Sequence, residues 1–169
     1  LIHSLNAILP QDISIKEIIE TDRDFHSQRS ALWRWYRYTV SNTPHKSVWD
    51  RNLTLHIPQK LDVAEMNKAL SFILGEHDFR SFKSSGGNVP GNVCIMYRAE
   101  CTAQDDLINI DLVANRFLYN MVRIIIGTLI DIGSGKYSAE HMQNVLKSAD
   151  RSIAGKTAKP EGLTLMSVG

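Results

Sequence analysis

One arginine lies inside the most apolar stretch of the sequence, residues 115–133, which read NRFLYNMVRIIIGTLIDIG. A stretch that is apolar on every side predicts a helix in the middle of a fold, and helical spacing puts Asn120, Arg123, Gly127 and Asp131 on one face. A buried guanidinium without a partner is very costly, so we expect Arg123 to meet an anion. Asp131 is roughly 12 Å away along the axis, too far to pair directly. Gly127 leaves room for another backbone or a ligand.

The partner of Arg123 is then either a structural carboxylate elsewhere in the fold or a group that belongs to a functional site. Periodicity alone leaves both interpretations open, because structural ion pairs also occupy buried positions. A membrane span is disfavoured, since the uninterrupted apolar run is short and carries a charge at its centre.

A second candidate is the segment Ala31–Val40, ALWRWYRYTV, whose aromatic and β-branched residues predict a long strand. Alternation places Arg34, Tyr36 and Tyr38 on one face, and Arg37 on the other with the two tryptophans. An aromatic ring with neighbouring arginines can stack on a nucleic-acid base while the cations hold phosphates. The simpler interpretation is a core strand whose tyrosines are packed internally.

A third candidate is the loop Lys83–Gly91, rich in glycine and serine, for which an ordinary surface loop is the simpler interpretation. The sequence has no nucleophile elbow, phosphate-binding loop, zinc-protease motif or dinucleotide fingerprint. The acids Asp12, Asp78 and Asp111 are isolated, and none has an evident base beside it. The residues alone therefore indicate an RNA-binding protein or an incomplete enzyme.

The composition is that of an ordinary soluble globular protein, with 43% hydrophobic and 22% charged residues and a net charge of +1 over 169 residues. The segment from Arg23 to Arg51 is basic, with six Lys or Arg against two acids. The cysteines, Cys94 and Cys101, lie seven positions apart on a predicted strand, which predicts opposite faces and free thiols in a reducing compartment. No His or Cys cluster has zinc spacing, so we expect no metal.

The chain length fits one domain or a piece of a larger one. The first residues, LIHSLNAILPQD, are too short and interrupted for a signal peptide and lack a basic start. Because the sequence also begins without Met, we expect that something upstream is missing.

The elements alternate in mixed order and predict an α+β fold with a largely antiparallel sheet. We expect strands over Ile13–Glu20, Ala31–Val40 and Leu163–Val168 and a hairpin of Asn92–Thr102 with Leu107–Val113. Besides the central helix, we expect short helices at three places. They are Leu1–Ile8, a helix opened by a capping box at Asp62–Glu65 and closed by Gly75, and a helix capped by Ser138 that runs to Ser148.

Several stretches occur in an order that resembles the C-terminal part of the TruA-type tRNA pseudouridine synthases and cover nearly the whole chain. The stretches that carry the resemblance are Asn6–Ile13, Phe25-His26 with Ser30-Ala31, Tyr36–Tyr38, Leu74–Phe79 with Ser81-Phe82, Ala114–Arg123 with Gly127, and Thr157-Ala158 with Pro160–Leu163. Asn120 stands where His is usual in the family, and Trp35 stands where a basic residue is common.

The resemblance implies a pseudouridine-synthase-like α+β fold with helices packed on one face of the sheet. It implies an enzyme that isomerises uridine to pseudouridine in the anticodon stem-loop, at nucleotides 38 to 40 of the tRNA, without metal or organic cofactor. Tyr36 matches the tyrosine that packs against the target base, and Arg123 matches the arginine that pairs with the catalytic aspartate. Leu163 matches the apolar residue that lines the base pocket. We expect Arg29, Arg34 and Arg37 to contact the RNA.

The family's catalytic aspartate lies in an R-T-D-x-G-V-type motif upstream of the stretch that matches Asn6–Ile13, and no residue of this chain matches that motif. We therefore expect residues 1–169 to be the C-terminal part of a catalytic domain and to be inactive alone. The rival hypotheses are a catalytically inactive RNA-binding module and a structural or dimerisation fragment. The resemblance also implies tRNA as a partner, a homodimer, and a cytoplasmic location, or the stroma or matrix of an organelle if a transit peptide precedes the chain.

Overall fold

The structure is a computed structural model that describes residues 1–86 and 91–169, and the chain divides into two compact units, Leu1–Ser30 and Ala31–Gly169. The first unit contains helix α1, Ile2–Ile8, as predicted. The predicted strand Ile13–Glu20 is wrong, because these residues form neither strand nor helix. Their backbone is tied to α1 instead, since the Asn6 side chain donates to the carbonyl of Ile15 and accepts from its N–H.

The second unit is built on one sheet of six strands within the described residues, and it confirms the predicted α+β class. The strands are β1, Arg34–Ser41; β2, Leu55–His56; β3, Gly75–Asp78; β4, Val93–Gln104; β5, Leu107–Ala114; and β6, Leu163–Val168. The order across the sheet is β2-β1-β5-β4-β3, and β6 pairs with β1 on the side that also holds β2. Only the β1–β2 pair is parallel, as expected for a largely antiparallel sheet.

Three helices cover one face of this sheet: α2, Val63–Ser71; α3, Met121–Gly133; and α4, Glu140–Ser148. They enclose one core, in which the residues of α3 are buried almost without interruption because the helix is apolar all round. Asp62 caps α2 by accepting from the N–H of Glu65, but the reciprocal half of the predicted capping box is absent, because the Glu65 carboxylate accepts from Ala139. The prediction that Ser138 caps α4 is wrong, because Ala139 takes the capping position and no side-chain hydrogen bond caps the helix there.

Two predicted helix boundaries are wrong. The central helix begins at Met121 rather than Asn115, and residues 115–120 form a bend, an irregular stretch and a turn. Asn120 lies just before the helix in the left-handed conformation, with φ of 60°. Helix α2 ends at Ser71, and Gly75, with φ of 89°, starts β3 instead of closing the helix.

The hairpin of β4 and β5 is confirmed, but β4 carries a bulge between Met96 and Arg98. The extra residue reverses the alternation of the strand, so that Cys94 and Cys101 both point into the core. The prediction that they face opposite sides is therefore wrong, whereas the prediction that both thiols are free is confirmed.

The segment 155–162 crosses α3 and leads into β6, and the bare surface of Gly127 allows it to do so. A Cβ on Gly127 would lie 1.7 Å from the carbonyl oxygen of Lys156, so only glycine permits this approach. The Thr128 hydroxyl accepts from the N–H of Gly155 at 2.9 Å and fixes the crossing point. Within the described residues, no helix is long and apolar enough to cross a membrane.

Candidate functional site

A cavity of about 410 Å³ opens where β1, α3 and the start of β6 meet. This volume falls within the range of small-molecule sites, roughly 300–1,000 Å³. Tyr36 comes from β1, Arg123 from α3 and Leu163 from β6, so three separate elements bring together the three residues that the sequence predicted for one site. The lining is completed by Lys83, Pro160 and residues 117–122.

The Tyr36 ring is half-buried and is held by an aromatic neighbour. Phe117 meets it edge to face, with 5.1 Å between ring centroids and an interplanar angle of 89°. Such pairs stabilise a fixed ring orientation by about 0.5–1.5 kcal/mol beyond burial. The ring is therefore fixed in place and still lines the cavity. It is not enclosed in the core, unlike Tyr38 two residues along β1.

Tyr38 is fully buried, and its hydroxyl donates to the carbonyl of Lys159 at 2.6 Å. Burial, with a smaller effect of Glu161, raises the pKa of Tyr38, so this hydroxyl stays protonated and structural. Gly162 packs against the same ring, where a Cβ would lie 2.7 Å from a ring carbon. These contacts seat the segment that leads to Leu163, which pairs with Tyr38 across β1 and β6.

Arg123 is half-buried at the cavity wall and is held by neutral acceptors. Its Nε donates to the carbonyl of Ala158 at 2.6 Å, and its Nη1 donates to Oδ1 of Asn120 at 3.3 Å. The N–H of Ala158 donates in return to the carbonyl of Arg123. Because Ala158 belongs to the segment that crosses α3 at Gly127, the same crossing fixes the guanidinium.

No carboxylate pairs with Arg123 among the residues that the structure describes. Asp131 pairs with Lys136 instead, which agrees with the expectation that it is too distant. Of the described residues that line the cavity, Arg123 and Lys83 are cationic and none is acidic. Two cations in a partly apolar recess attract an anion such as a carboxylate or a phosphate.

The three arginines predicted to contact RNA lie in different settings. Arg29 is exposed in the first unit. Arg34 donates to the carbonyls of Ala31 and Asn115, and neither Arg34 nor Arg37 is among the residues that line the cavity. The RNA contacts of all three remain predictions.

Arg37 points to the opposite face of β1 from Tyr36, where it forms a bidentate pair with Asp111. Trp35 donates its ring N–H to the same carboxylate at 2.7 Å, and the Arg37 guanidinium lies 5.5 Å from the Trp35 ring centroid. Burial alone would raise the pKa of Asp111, but these hydrogen bonds outweigh it and hold the pKa below its usual value. The charge of Arg37 is therefore largely compensated within the chain.

Two cavity residues were missed by the sequence analysis: Phe117 and, as a hydrogen-bond partner of Arg123, Asn120. Asn120 carried a usable signal, because it precedes Arg123 by three positions, whereas Phe117 reaches the cavity through tertiary packing. Lys83 is the first residue of the third candidate, the loop Lys83–Gly91, of which residues 87–90 lie outside the described residues. No three His, Cys, Asp or Glu side chains within residues 1–86 and 91–169 lie close enough together to hold a metal ion.

The family model of tRNA pseudouridine synthases matches residues 69–169 of this chain. The chain is 44% identical over 165 residues to tRNA pseudouridine synthase A of Geobacillus sp. (strain WCH70), which covers 98% of this chain and 66% of that protein. It is 42% identical over 167 residues to the protein of that name from Ruminiclostridium cellulolyticum, covering 98% of this chain and 68% of the relative.

The chain belongs to the tRNA pseudouridine synthase family. It spans about two thirds of the length of these relatives, the shares being 66% and 68%. The resemblance to the C-terminal part of the TruA-type synthases is confirmed.

Proposed function

We propose that this chain is the C-terminal part of the catalytic domain of a tRNA pseudouridine synthase, and that its cavity holds the uridine to be isomerised. One observation carries this proposal. Tyr36, Arg123 and Leu163, the three positions to which the family resemblance assigns active-site roles, come from three elements and line the same cavity. Each has the chemistry that its role needs: a flat ring, a cation and an apolar wall.

In this proposal Tyr36 packs against the uracil ring, which is worth about 1–3 kcal/mol per base. Phe117 fixes the orientation of that ring, so little ordering is required when the base binds. Leu163 and Pro160 close the apolar side of the cavity. The hydroxyl of Tyr36 is not needed for stacking, so its removal should cost less than removal of the ring.

Arg123 pairs with the catalytic aspartate, which we place in a segment outside this chain. The guanidinium lies at the cavity wall, has no acid partner among the described residues, and keeps donors free beyond its bonds to Ala158 and Asn120. An adjacent cation favours the ionised carboxyl, so the aspartate is held ready to attack the nucleotide. The bond from uracil nitrogen to ribose breaks, the base turns and a bond from ring carbon to ribose forms. The proton lost from that carbon is balanced by one gained at nitrogen.

The substrate we propose is tRNA, recognised at the anticodon stem-loop, and the intact protein is proposed to act as a homodimer in the cytoplasm. Arg29, Arg34 and Arg37 are proposed to contribute to the RNA surface. For Arg37 this requires a phosphate to approach a guanidinium that Asp111 already holds.

Two measurements on the chain test the proposal. Filter binding with a tRNA transcript should show weak affinity that falls steeply as salt rises, because phosphate contacts release counterions. Incubation of the same mixture should form no pseudouridine, since the nucleophile lies outside the chain. Affinity that does not change with salt contradicts the RNA surface, and pseudouridine formed by the chain contradicts the placement of the nucleophile.

A third measurement tests Arg123. Addition of the upstream segment of the Geobacillus sp. relative, either fused or in trans, should give activity with the wild-type chain. Arg123→Met should abolish that activity, whereas Lys147→Met, a charge loss on the exposed part of α4, should keep it. Activity that survives Arg123→Met would return this arginine to a structural role.

A further inference from the structure

A second cation, Lys83, lines the cavity and has no part in the proposed pairing with aspartate. It comes directly after Phe82, which is fully buried in the core, so its main chain starts from a fixed point. The Lys83 side chain itself is half-buried. A lysine in this position keeps its aliphatic stem against protein and its ammonium group towards water.

Hydrogen bonds hold the main chain of this lysine on the cavity rim. The N–H of Lys83 donates to the carbonyl of Arg80 at 3.2 Å, and the N–H of Ser84 donates to the carbonyl of Tyr119 at 3.1 Å. Asn120 donates from Nδ2 to the Ser84 hydroxyl at 3.2 Å while its Oδ1 accepts from Arg123. Asn120 therefore links the Lys83–Ser84 segment to Arg123, so that the two cations belong to one hydrogen-bonded unit.

The charge of Lys83 is not compensated by any acid among the described residues. Its ammonium donates to the neutral amide of Asn92 at 3.3 Å, which leaves donors for a ligand. Two surface lysines differ in this respect, because Lys68 pairs with Glu140 and Lys136 with Asp131. In the proposed function Arg123 is taken up by a carboxylate from outside the chain. Lys83 is then the cation of the cavity lining whose charge is still uncompensated.

We propose that Lys83 is a phosphate-binding residue that holds a backbone phosphate of the nucleotide whose base lies on Tyr36. This inference rests on the proposed function, and it adds a contact to the phosphate of the nucleotide to the stacking of its base. A nucleotide that inserts its base beside Tyr36 brings its own phosphates to the rim of the same cavity. Lysine binds phosphate as a point charge. The hydrogen bond to Asn92 restrains the Lys83 ammonium beforehand, which lowers the cost of ordering the side chain on binding.

The test compares charge variants of the chain in binding to one tRNA transcript. Lys83→Met removes the charge and keeps the aliphatic stem, and Lys83→Arg keeps the charge. Lys147→Met is the matched control, because Lys147 is exposed on α4 and does not line the cavity. Each dissociation constant is measured across a salt series, and thermal unfolding verifies that each variant is folded. Lys83→Gln takes the place of Lys83→Met if the latter does not fold.

Lys83→Met should weaken binding about tenfold, the loss expected for one charged hydrogen-bonded contact. It should also lower the slope of log affinity against log salt by about 0.7, the share of one phosphate on a single strand. Lys83→Arg and Lys147→Met should stay near wild type. If Lys83→Met and Lys147→Met weaken binding equally, the inference is overturned while the proposed function stands. If the wild-type chain does not bind tRNA, both fail.

Discussion

Arg37 and Arg123 lie on opposite faces of the same sheet and are held in opposite ways. Arg37 meets Asp111 in a bidentate pair, with an exposed side-chain fraction of 33% for the arginine and 2% for the acid. Arg123 meets only a main-chain carbonyl and a side-chain amide. An arginine paired with a buried acid of its own chain stabilises the fold, and its positive charge is already neutralised. An arginine held only by neutral acceptors keeps an uncompensated positive charge, which can bind an anionic group from outside the chain.

The largest effect should come from Asp111→Ala, which leaves Arg37 and the Trp35 ring N–H without their acceptor. We expect the free energy of unfolding to fall by about 2–3 kcal/mol, less than for a fully buried pair because Arg37 reaches solvent. Urea denaturation measures it. Asp131→Ala is the control, since its pair with Lys136 lies near the surface and should be worth less than about 1 kcal/mol. Equal losses would show that the Asp111 pair does not hold the sheet.

Tyr36→Ala should weaken tRNA binding by about 1–2 kcal/mol, because the base loses its stacking partner. Tyr36→Phe should stay close to wild type, because the ring remains. Trp35→Phe is the matched change on the other face of β1 and should leave affinity unchanged in an electrophoretic shift assay. Loss of affinity in Trp35→Phe but not in Tyr36→Ala would contradict stacking of the base on the Tyr36 ring.

The contribution of the Arg37–Asp111 pair to the free energy of unfolding should depend on pH. Asp111 has a lowered pKa when folded, so its contribution is complete above the ordinary aspartate pKa of about 3.9 and is lost as pH falls through the folded value. The stability advantage of wild type over Asp111→Asn should therefore shrink as the pH falls below about 4. Urea unfolding of both proteins at several pH values measures this difference. If the stability advantage of wild type grew as the pH fell, the pKa of Asp111 would be raised rather than lowered in the folded chain.

Arg123→Met should have the smallest effect on folding, a change below about 1 kcal/mol in the free energy of unfolding, because only bonds to neutral acceptors are lost. The same urea experiment measures it. A loss as large as that of Asp111→Ala would mean that an acid of this chain pairs with Arg123 and that the two faces do not differ.

Local pattern predicted the elements whose own residues alternate or are continuously hydrophobic. The hairpin of β4 and β5, the apolar helix α3 and the last strand β6 all follow from alternation or from continuous hydrophobicity. Ile13 and Ile15 also alternate, but no strand pairs with them, and alternation without a partner does not make a strand. The start of α3 at Met121 depends on the left-handed Asn120, which apolar content cannot reveal.

The candidate site was predictable only through the family resemblance. Tyr36 and Arg123 are 87 positions apart, and no periodicity relates them to one cavity. Asp111 looked like an isolated acid because its partner lies 74 positions away on another strand. Lys83 reaches the cavity only because Phe82 is buried in the core beside it. Contacts of this kind depend on the complete sheet.

The bulge in β4 has a consequence for sulfur chemistry. It turns both cysteines inward, and burial raises the pKa of Cys101 to about 12 and also raises that of Cys94. Thiol reagents attack the thiolate, so in the folded chain both sulfurs are screened by packing and by protonation. Alkylation can then proceed only as fast as the sheet opens. The native chain therefore carries two internal reporters of its own unfolding, with no label added.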